Sequence, residues 1–536
     1  MSIEAEIQTV SSLQKIFPCG EIELPQASGS MLKDERFAFQ VAIRAKERIL
    51  GATLEIIGDG AAGCRVRRVD LAPAYQTELE KTEYVIEQFA TLYPEILVDD
   101  DCRDISLRAD MWTVFWITAE GLSVGEHEFE FYLSAEGERL AETRYRLEVI
   151  GENLSSEKIM YSNWMHYDCI ANYYGLKVFS ERYYKILGKF MDNAVAHGVN
   201  LLYTPLFTPP LDTQVGGERT TVQLVDVERQ EKSYSFGFDR LKAFLRFAEN
   251  HGFEYFEFSH LFSQWGALSA PKIIDVQGNR LFGWETASDG EEYLNFLDGF
   301  LQKFNSFIAD NGLKGRCFFH LSDEPGINCI ERYRKLSAFV KKRMTHATLM
   351  DALSNYDFYE RKLVDLAVVA TSSVNDFLGK AKNYWVYYCC GQYKNGLSNR
   401  FFNIPPERNR ILGTQLYLND IGGFLHWGYN FYNSYLSKHA INPYLVTDGD
   451  GAFQAGDCFV VYPGKNCVLD SVRHEVFYEG LQDYRALKRL ELKKGRKFTE
   501  TLLKSFGIGK DFETYPHDAR KLIRLRETIN MLIKNS

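Results

Sequence analysis

Asp323 and Glu324 stand side by side where an apolar run, Cys317-Phe318-Phe319-His320-Leu321, gives way to Pro325-Gly326. The run reads as a short buried strand, and proline ends it because it has no N–H to give to a ladder. Neighbouring Cα atoms lie about 3.8 Å apart. Carboxyls this close raise the cost of ionising each other, so one can keep its proton and act as an acid. At the C-terminal end of a strand in a parallel α/β barrel, both would face the mouth, where side chains meet substrate. A plainer role also fits: Ser322 or Asp323 could cap a helix starting near Pro325.

A barrel needs strands alternating with helices, and the pattern from residue 160 onward has that alternation. Candidate strands begin near Ile159, Asn200, Tyr255, Cys317, Thr348, Leu366, Tyr384 and Gly423. Helices are predicted over 180–197, 239–250 and 289–310. In the last, Ser288 and Glu291 form a capping box, Leu297, Phe300, Leu301, Phe304 and Ile308 form the apolar stripe, and Gly312 is the stop. Eight strands is the number of a (β/α)8 TIM-like barrel, and the acid pair then ends the fourth.

Polar and aromatic residues gather at the same strand ends. Trp164, His166 and Asp168 close the first, Asp212 follows the second, and His260, Gln264 and Trp265 follow the third. His320 is on the fourth, Asn355 follows the fifth, and His426, Trp427, Tyr429 and Asn430 close the eighth. Trp284 and Glu285 lie in a long loop, 263–289, and residues 216–238 read as a hairpin inserted in another. Any one of these would be an ordinary packed or surface residue. Together they supply aromatic platforms beside directional hydrogen-bond groups, which is what a sugar pocket needs.

Residues 1–152 read differently. Phe37, Phe39, Val41 and Ile43 alternate with more polar neighbours, as do Phe129, Phe131 and Leu133, and Tyr145, Leu147 and Val149. Period two with turn signals between runs predicts an N-terminal β-sandwich, ending near Gly151-Glu152-Asn153. Residues 153–536 are then the catalytic barrel, with a charged helical tail over 497–536. Thr447-Asp448-Gly449-Asp450-Gly451 has a hint of a calcium loop but lacks the further ligand spacing, so a turn is expected.

Composition narrows the partners. A net charge of −10 without a Lys/Arg run argues against nucleic acid. No stretch reaches the ~18 apolar residues of a membrane span. The start, Met1-Ser2-Ile3-Glu4, has no basic and apolar leader, and the ten cysteines include no C-x-x-C pair. These features predict a cytoplasmic protein with free thiols and no metal site.

Taken together, HLSDEP (320–325), GFLHWGYNFY (423–432), VVYPG (460–464) and SVRHEVFYEGLQDY (471–484) resemble the catalytic region of glycoside hydrolase family 123, the β-N-acetylgalactosaminidases. The resemblance implies a β-sandwich followed by a (β/α)8 barrel and a carbohydrate substrate. It also implies retaining hydrolysis in which the substrate's own 2-acetamido group is the nucleophile. Asp323 then orients that group, Glu324 is the general acid/base, and no cofactor or metal is needed. Two other readings stay open. One is a glycosidase for another sugar, with a separate nucleophile such as Glu257 or Glu285. The other is a non-catalytic glycan-binding protein.

Overall fold

The computed structural model describes residues 4–75, 84–86, 91–231 and 233–536. The chain is a mixed α/β protein with a β-rich N-terminal region and a nearly closed eight-stranded parallel barrel. Among the described residues, no helix is long and apolar enough to cross a membrane.

Among the described residues, the N-terminal region holds two sheets. Five strands of one (Ala5–Ser11, Phe37–Ala45, Cys64–Ala74, Thr91–Asp99, Thr113–Ala119) and the five of the other (Ser28–Leu32, Ile49–Ile57, Ile105–Leu107, Gly125–Ala135, Glu138–Ile150) come from the first 150 residues. The alternating sets Phe39, Val41, Ile43, Phe129, Phe131, Leu133, Tyr145, Leu147 and Val149 all turn inward into one shared core. Phe39 and Tyr145 stack face to face there, with centroids 4.0 Å apart. The first sheet is completed from elsewhere in the chain. Val468–Ser471 pairs antiparallel with Thr91–Asp99, and Tyr462–Pro463 adds the edge.

The barrel strands are Met160–Asn163, Leu201–Thr204, Tyr255–Phe258, Cys317–His320, Thr348–Leu353, Leu366–Ala370, Trp385–Tyr387 and Gly423–His426, each near a predicted start. All neighbouring pairs are parallel. They are legible because strands buried on both faces are short continuous apolar runs. The first and second strands meet without a regular ladder, and Asn200 seals the seam. Its N–H donates to Tyr161 O, while its side chain accepts from Tyr161 N–H (2.9 Å) and donates to Ile159 O (3.0 Å).

Helices Glu181–Ala196 and Asp239–Asn250 form as expected, the first capped by Ser180 accepting from Tyr183 N–H. The capping box before the third helix does not form. That helix runs Glu291–Asp310 with Gly290 at its N-cap, and the Ser288 hydroxyl donates to Ala267 O instead, tying down a loop. The predicted hairpin is present as Asp226–Arg229 paired with Tyr234–Gly237. In the Thr447–Gly451 segment, Asp448 accepts the Gly451 N–H and three consecutive residues have positive φ, which is a turn.

Buried ion pairs join the N-terminal sheet to helix Val472–Lys494. Arg473 reaches Glu95 at 2.7 Å and three carbonyls, of Arg400, Gly456 and Phe459. Arg67 bridges Asp470 and Glu475, both at 2.7 Å. Removing one partner of such a pair strands the other's charge in the interior, which costs about 3–5 kcal/mol. Arg473→Met should lose that much stability in denaturant unfolding, and adding Glu95→Gln should recover part of it. A single variant indistinguishable from wild type would show that Glu95 finds another counter-ion.

Candidate active site

Beneath the barrel mouth, three strands line up a fully buried row. His320 Nε2 lies 2.5 Å from Glu257 Oε1, and His320 Nδ1 lies 3.3 Å from Asp351 Oδ1. Burial alone would lower the histidine pKa, but Glu257 and Asp351 outweigh it and raise it to about 9. Both ring nitrogens therefore carry protons and donate at neutral pH. Glu257 is saturated, since Trp164 Nε1 donates to one oxygen (2.6 Å) and the Ser162 hydroxyl to the other. The second Asp351 oxygen accepts from Tyr333 O–H (2.7 Å) and Ser322 N–H (3.0 Å).

That last bond fixes the residue just before the acid pair. The Ser322 hydroxyl donates to Ser263 O (2.8 Å), and neither it nor Asp323 caps a helix, since the following 3-10 turn has Gly326 at its N-cap. Asp323 and Glu324 are both half-buried. Glu324 sits in the left-handed region at φ +43°, a strained position for a side chain of its size. Tyr387, ending the seventh strand, donates to Glu324 Oε1 at 2.6 Å. Burial, then the neighbouring Glu324, Asp351 and Asp212, push the Asp323 carboxyl well above the usual carboxylate range.

Two further acids resist ionisation nearby. Burial raises Asp212 to about 6, with Arg219 offsetting part and Glu324 adding to it. Asp457, fully buried, is raised to about 7 by burial against the pull of Arg400, and accepts from Trp427 Nε1 at 3.1 Å.

The predicted contact residues divide into two groups. His320 and Trp164 belong to the buried row, and His260 stacks on His320 (4.3 Å between centroids) with Nδ1 on Tyr203 O–H. Trp427 is 8% exposed beside Asp457. Gln264 accepts the Asp212 N–H, and Trp284 donates to Gly217 O, so both clasp the rim loops. The others are bonded to protein groups, with His166 and Asp168 facing the same small cavity as Trp164 and Tyr203. Asp168 lies in helix Tyr167–Tyr174 and takes a bidentate bond from Arg219 (2.6 and 2.9 Å). His166 faces the same Arg219 with Nδ1 and Trp427 O with Nε2, and exchanges backbone bonds with the Asn430 amide. Asn355 caps the next helix through Asp357 N–H. Tyr429 packs outward on helix Glu181–Ala196, bonding Phe190 O and Asn193.

Tyr387, Arg219 and Asp457 were not anticipated. Tyr387 was reachable by the strand-end rule that singled out the other residues. A buried Asp168 demands a counter-ion, but nothing in sequence points to Arg219. Of the alternative nucleophiles, Glu257 has both oxygens engaged, and Glu285 is exposed and paired with Arg280 at 2.7 Å.

Among the described residues, two trios bring possible ligand atoms close together: His260, His320 and Asp351, and His197, Asp470 and His474. In each, the two imidazoles stack, at 4.3 Å and 26° and at 3.8 Å and 20°. Ring lone pairs lie in the ring plane, so stacked rings do not converge on one ion, and Arg67 already occupies Asp470. Neither trio is read as a metal centre.

The family model for the glycoside hydrolase 123 catalytic domain matches residues 164–490, which take in the second to eighth barrel strands, the acid pair and most of helix Val472–Lys494. The chain belongs to glycoside hydrolase family 123. It is a glycoside hydrolase, acting on a carbohydrate. A family 123 glycoside hydrolase from Clostridium perfringens, whose structure details glycolipid glycan hydrolysis, shares the fold. Its TM-score is 0.75 at 13% identity, covering 99% of this chain and 97% of that one. A GH2 β-galacturonidase from Eisenbergiella tayi (TM-score 0.35, 8% identity, 90% and 73% covered) and a GH5 xyloglucanase from Bacteroides ovatus (0.32, 10%, 85% and 98%) are too distant to inform this family 123 site. No curated protein matches the sequence.

The buried row makes a stability prediction for this family 123 chain. The His320 pKa is raised from 6.5 to about 9, so its contribution is complete below about pH 6.5 and lost as pH rises through about 9. The melting temperature should fall over that interval, and His320→Gln should flatten the fall. Equal slopes in both proteins would place the titration elsewhere.

Proposed function

We propose that this family 123 enzyme is a retaining, substrate-assisted β-N-acetylhexosaminidase, most suited to β-N-acetylgalactosaminides, built as a β-sandwich (1–152) and a (β/α)8 TIM-like barrel (153–536). The observation that carries this reading is the occupancy of the carboxylates. Adjacent Asp323 and Glu324 share one strand end, while Glu257 is saturated and Glu285 is ion-paired at the surface. An ordinary retaining pair needs carboxyls on opposite faces of the sugar, about 5–5.5 Å apart. Neighbouring residues suffice when the nucleophile comes from the substrate.

In the proposed reaction the acetamido oxygen attacks the anomeric carbon as the bond to the leaving oxygen breaks. Glu324, held by Tyr387, gives that oxygen its proton. Asp323 accepts the amide N–H and stabilises the oxazolinium charge. Water, deprotonated by Glu324, then opens the ring, so two inversions give retention. Ionised Asp323 is the form that stabilises a cation. Its raised pKa places the acidic limb of kcat/KM above the ordinary carboxylate range, with activity lost as pH falls. Trp427 is assigned as the platform under the sugar. A cytoplasmic setting is supported by ten free cysteines.

One observation favours a second reading. Asp212 is half-buried within electrostatic reach of Glu324 and could serve as an enzyme nucleophile. Successive fluorination of the N-acetyl methyl separates the two. A progressive fall in rate with retained configuration is expected for the acetamide nucleophile, and a flat series would favour Asp212. Glu324→Gln should abolish turnover of poor leaving groups while sparing very acidic ones. Asp323→Ala should be as damaging as Glu324→Gln is on the poor leaving groups, and should spare the acidic ones no more than the poor ones.

A further inference from the structure

Trp265 is 52% exposed, on the loop that follows the third barrel strand. Its backbone lies in the left-handed region at φ +61°, an outlier for so bulky a residue, and Ala267 follows at φ +51°. The loop is nevertheless tightly held. Ser263 N–H donates to Ser269 O, Ser269 N–H to the Ser263 hydroxyl, and Ala267 N–H to Ser263 O. The Ser322 hydroxyl holds Ser263 O from the strand side. Above all, Trp265 N–H donates to Asp323 O at 2.8 Å. That carbonyl belongs to the peptide joining the two acids, so the Trp265 backbone keeps a fixed distance from Glu324. Strained positions held by surrounding structure concentrate where geometry serves function.

Position also says which part of a substrate Trp265 would meet. The aromatic residues under the acids, Trp164, Tyr203, His260 and His320, are closed off in the barrel interior. Trp265 is on the solvent side, with Leu268, 60% exposed, three residues on. The group beyond the bond being broken must leave toward solvent past the acid that protonates it. We propose that Trp265 is the platform for the leaving-group sugar, whose apolar C–H face stacks on the indole. This rests on the glycosidase reading above and extends it to a substrate whose leaving group is itself a sugar.

The test pairs two substrates of the same N-acetylhexosamine. One is the glycosyl fluoride, whose leaving group is a single atom, and the other is a disaccharide. Binding energy from the non-reacting half of a substrate is realised in the rate, so its loss is read in kcat/KM. Trp265→Ala should lower kcat/KM for the disaccharide about tenfold or more, and change the fluoride less than about twofold. Trp265→Phe should restore most of the disaccharide rate. Equal losses on both substrates would place Trp265 under the reacting sugar or in a structural role, and no loss on either would remove it from the site. Both results overturn the proposal. If the wild-type enzyme hydrolyses neither substrate, the N-acetylhexosaminidase reading itself fails and the platform with it.

Discussion

A protonated histidine between two carboxylates sits at the centre of this barrel, and the geometry of the acid pair depends on it. His320 ties the third strand to the fifth through Glu257 and Asp351. Each carboxylate then uses its remaining oxygen to hold something else. Glu257 takes Ser162, and Asp351 takes Tyr333 and the backbone of Ser322. Buried charges persist only when paired and fully bonded, so this arrangement is stiff. It also sets the state of its neighbour: burial and the His320 charge drive His260 well below the usual imidazole range, leaving a neutral ring stacked on a charged one.

Above that row, acids outnumber the groups that neutralise them. Asp212, Asp323 and Asp457 all hold protons more tightly than ordinary carboxyls, chiefly through burial. Arg219 and Arg400 moderate two of them, and the guanidinium of Arg219 is largely engaged by Asp168. A cluster of poorly neutralised carboxyls in low dielectric is matched to a positive charge that grows during reaction. It is poorly matched to an anionic ligand.

The sequence was most informative where burial alone sets the pattern. Eight apolar runs located eight strands because parallel strands covered on both faces have no polar alternation to confuse them. Phe39, Phe131 and Leu147 announced the N-terminal sheets by the opposite pattern. Four ordered motifs, the first of them holding the acid pair, led to the family. What stayed hidden was the choice of partner. Asp168 and His166 sit near a strand end, as a ligand-binding residue would, yet both are engaged by Arg219, some fifty residues away in a loop without a periodic signal. Asn355 and Ser288 show the same limit at short range. Each has the chemistry of a cap, but only Asn355 caps, because the helix after Ser288 starts two residues too late, with Gly290 at its N-cap, and the Ser288 hydroxyl donates to Ala267 O. Residue type fixes what a side chain can donate or accept, and the fold fixes to whom.

The strand Val468–Ser471 lies in the N-terminal sheet although it follows the whole barrel in sequence. During synthesis, the first 150 residues leave the ribosome with Thr91–Asp99 as an uncovered edge. The strand that covers it arrives about 320 residues later, roughly 15–60 s at about 5–20 residues per second. The charges of Arg67 and Glu95 wait equally long for Asp470, Glu475 and Arg473. The nascent N-terminal region thus has an open sheet edge, with Arg67 and Glu95 still facing water, until the barrel is made. Its completion is a late event that locks both halves at once.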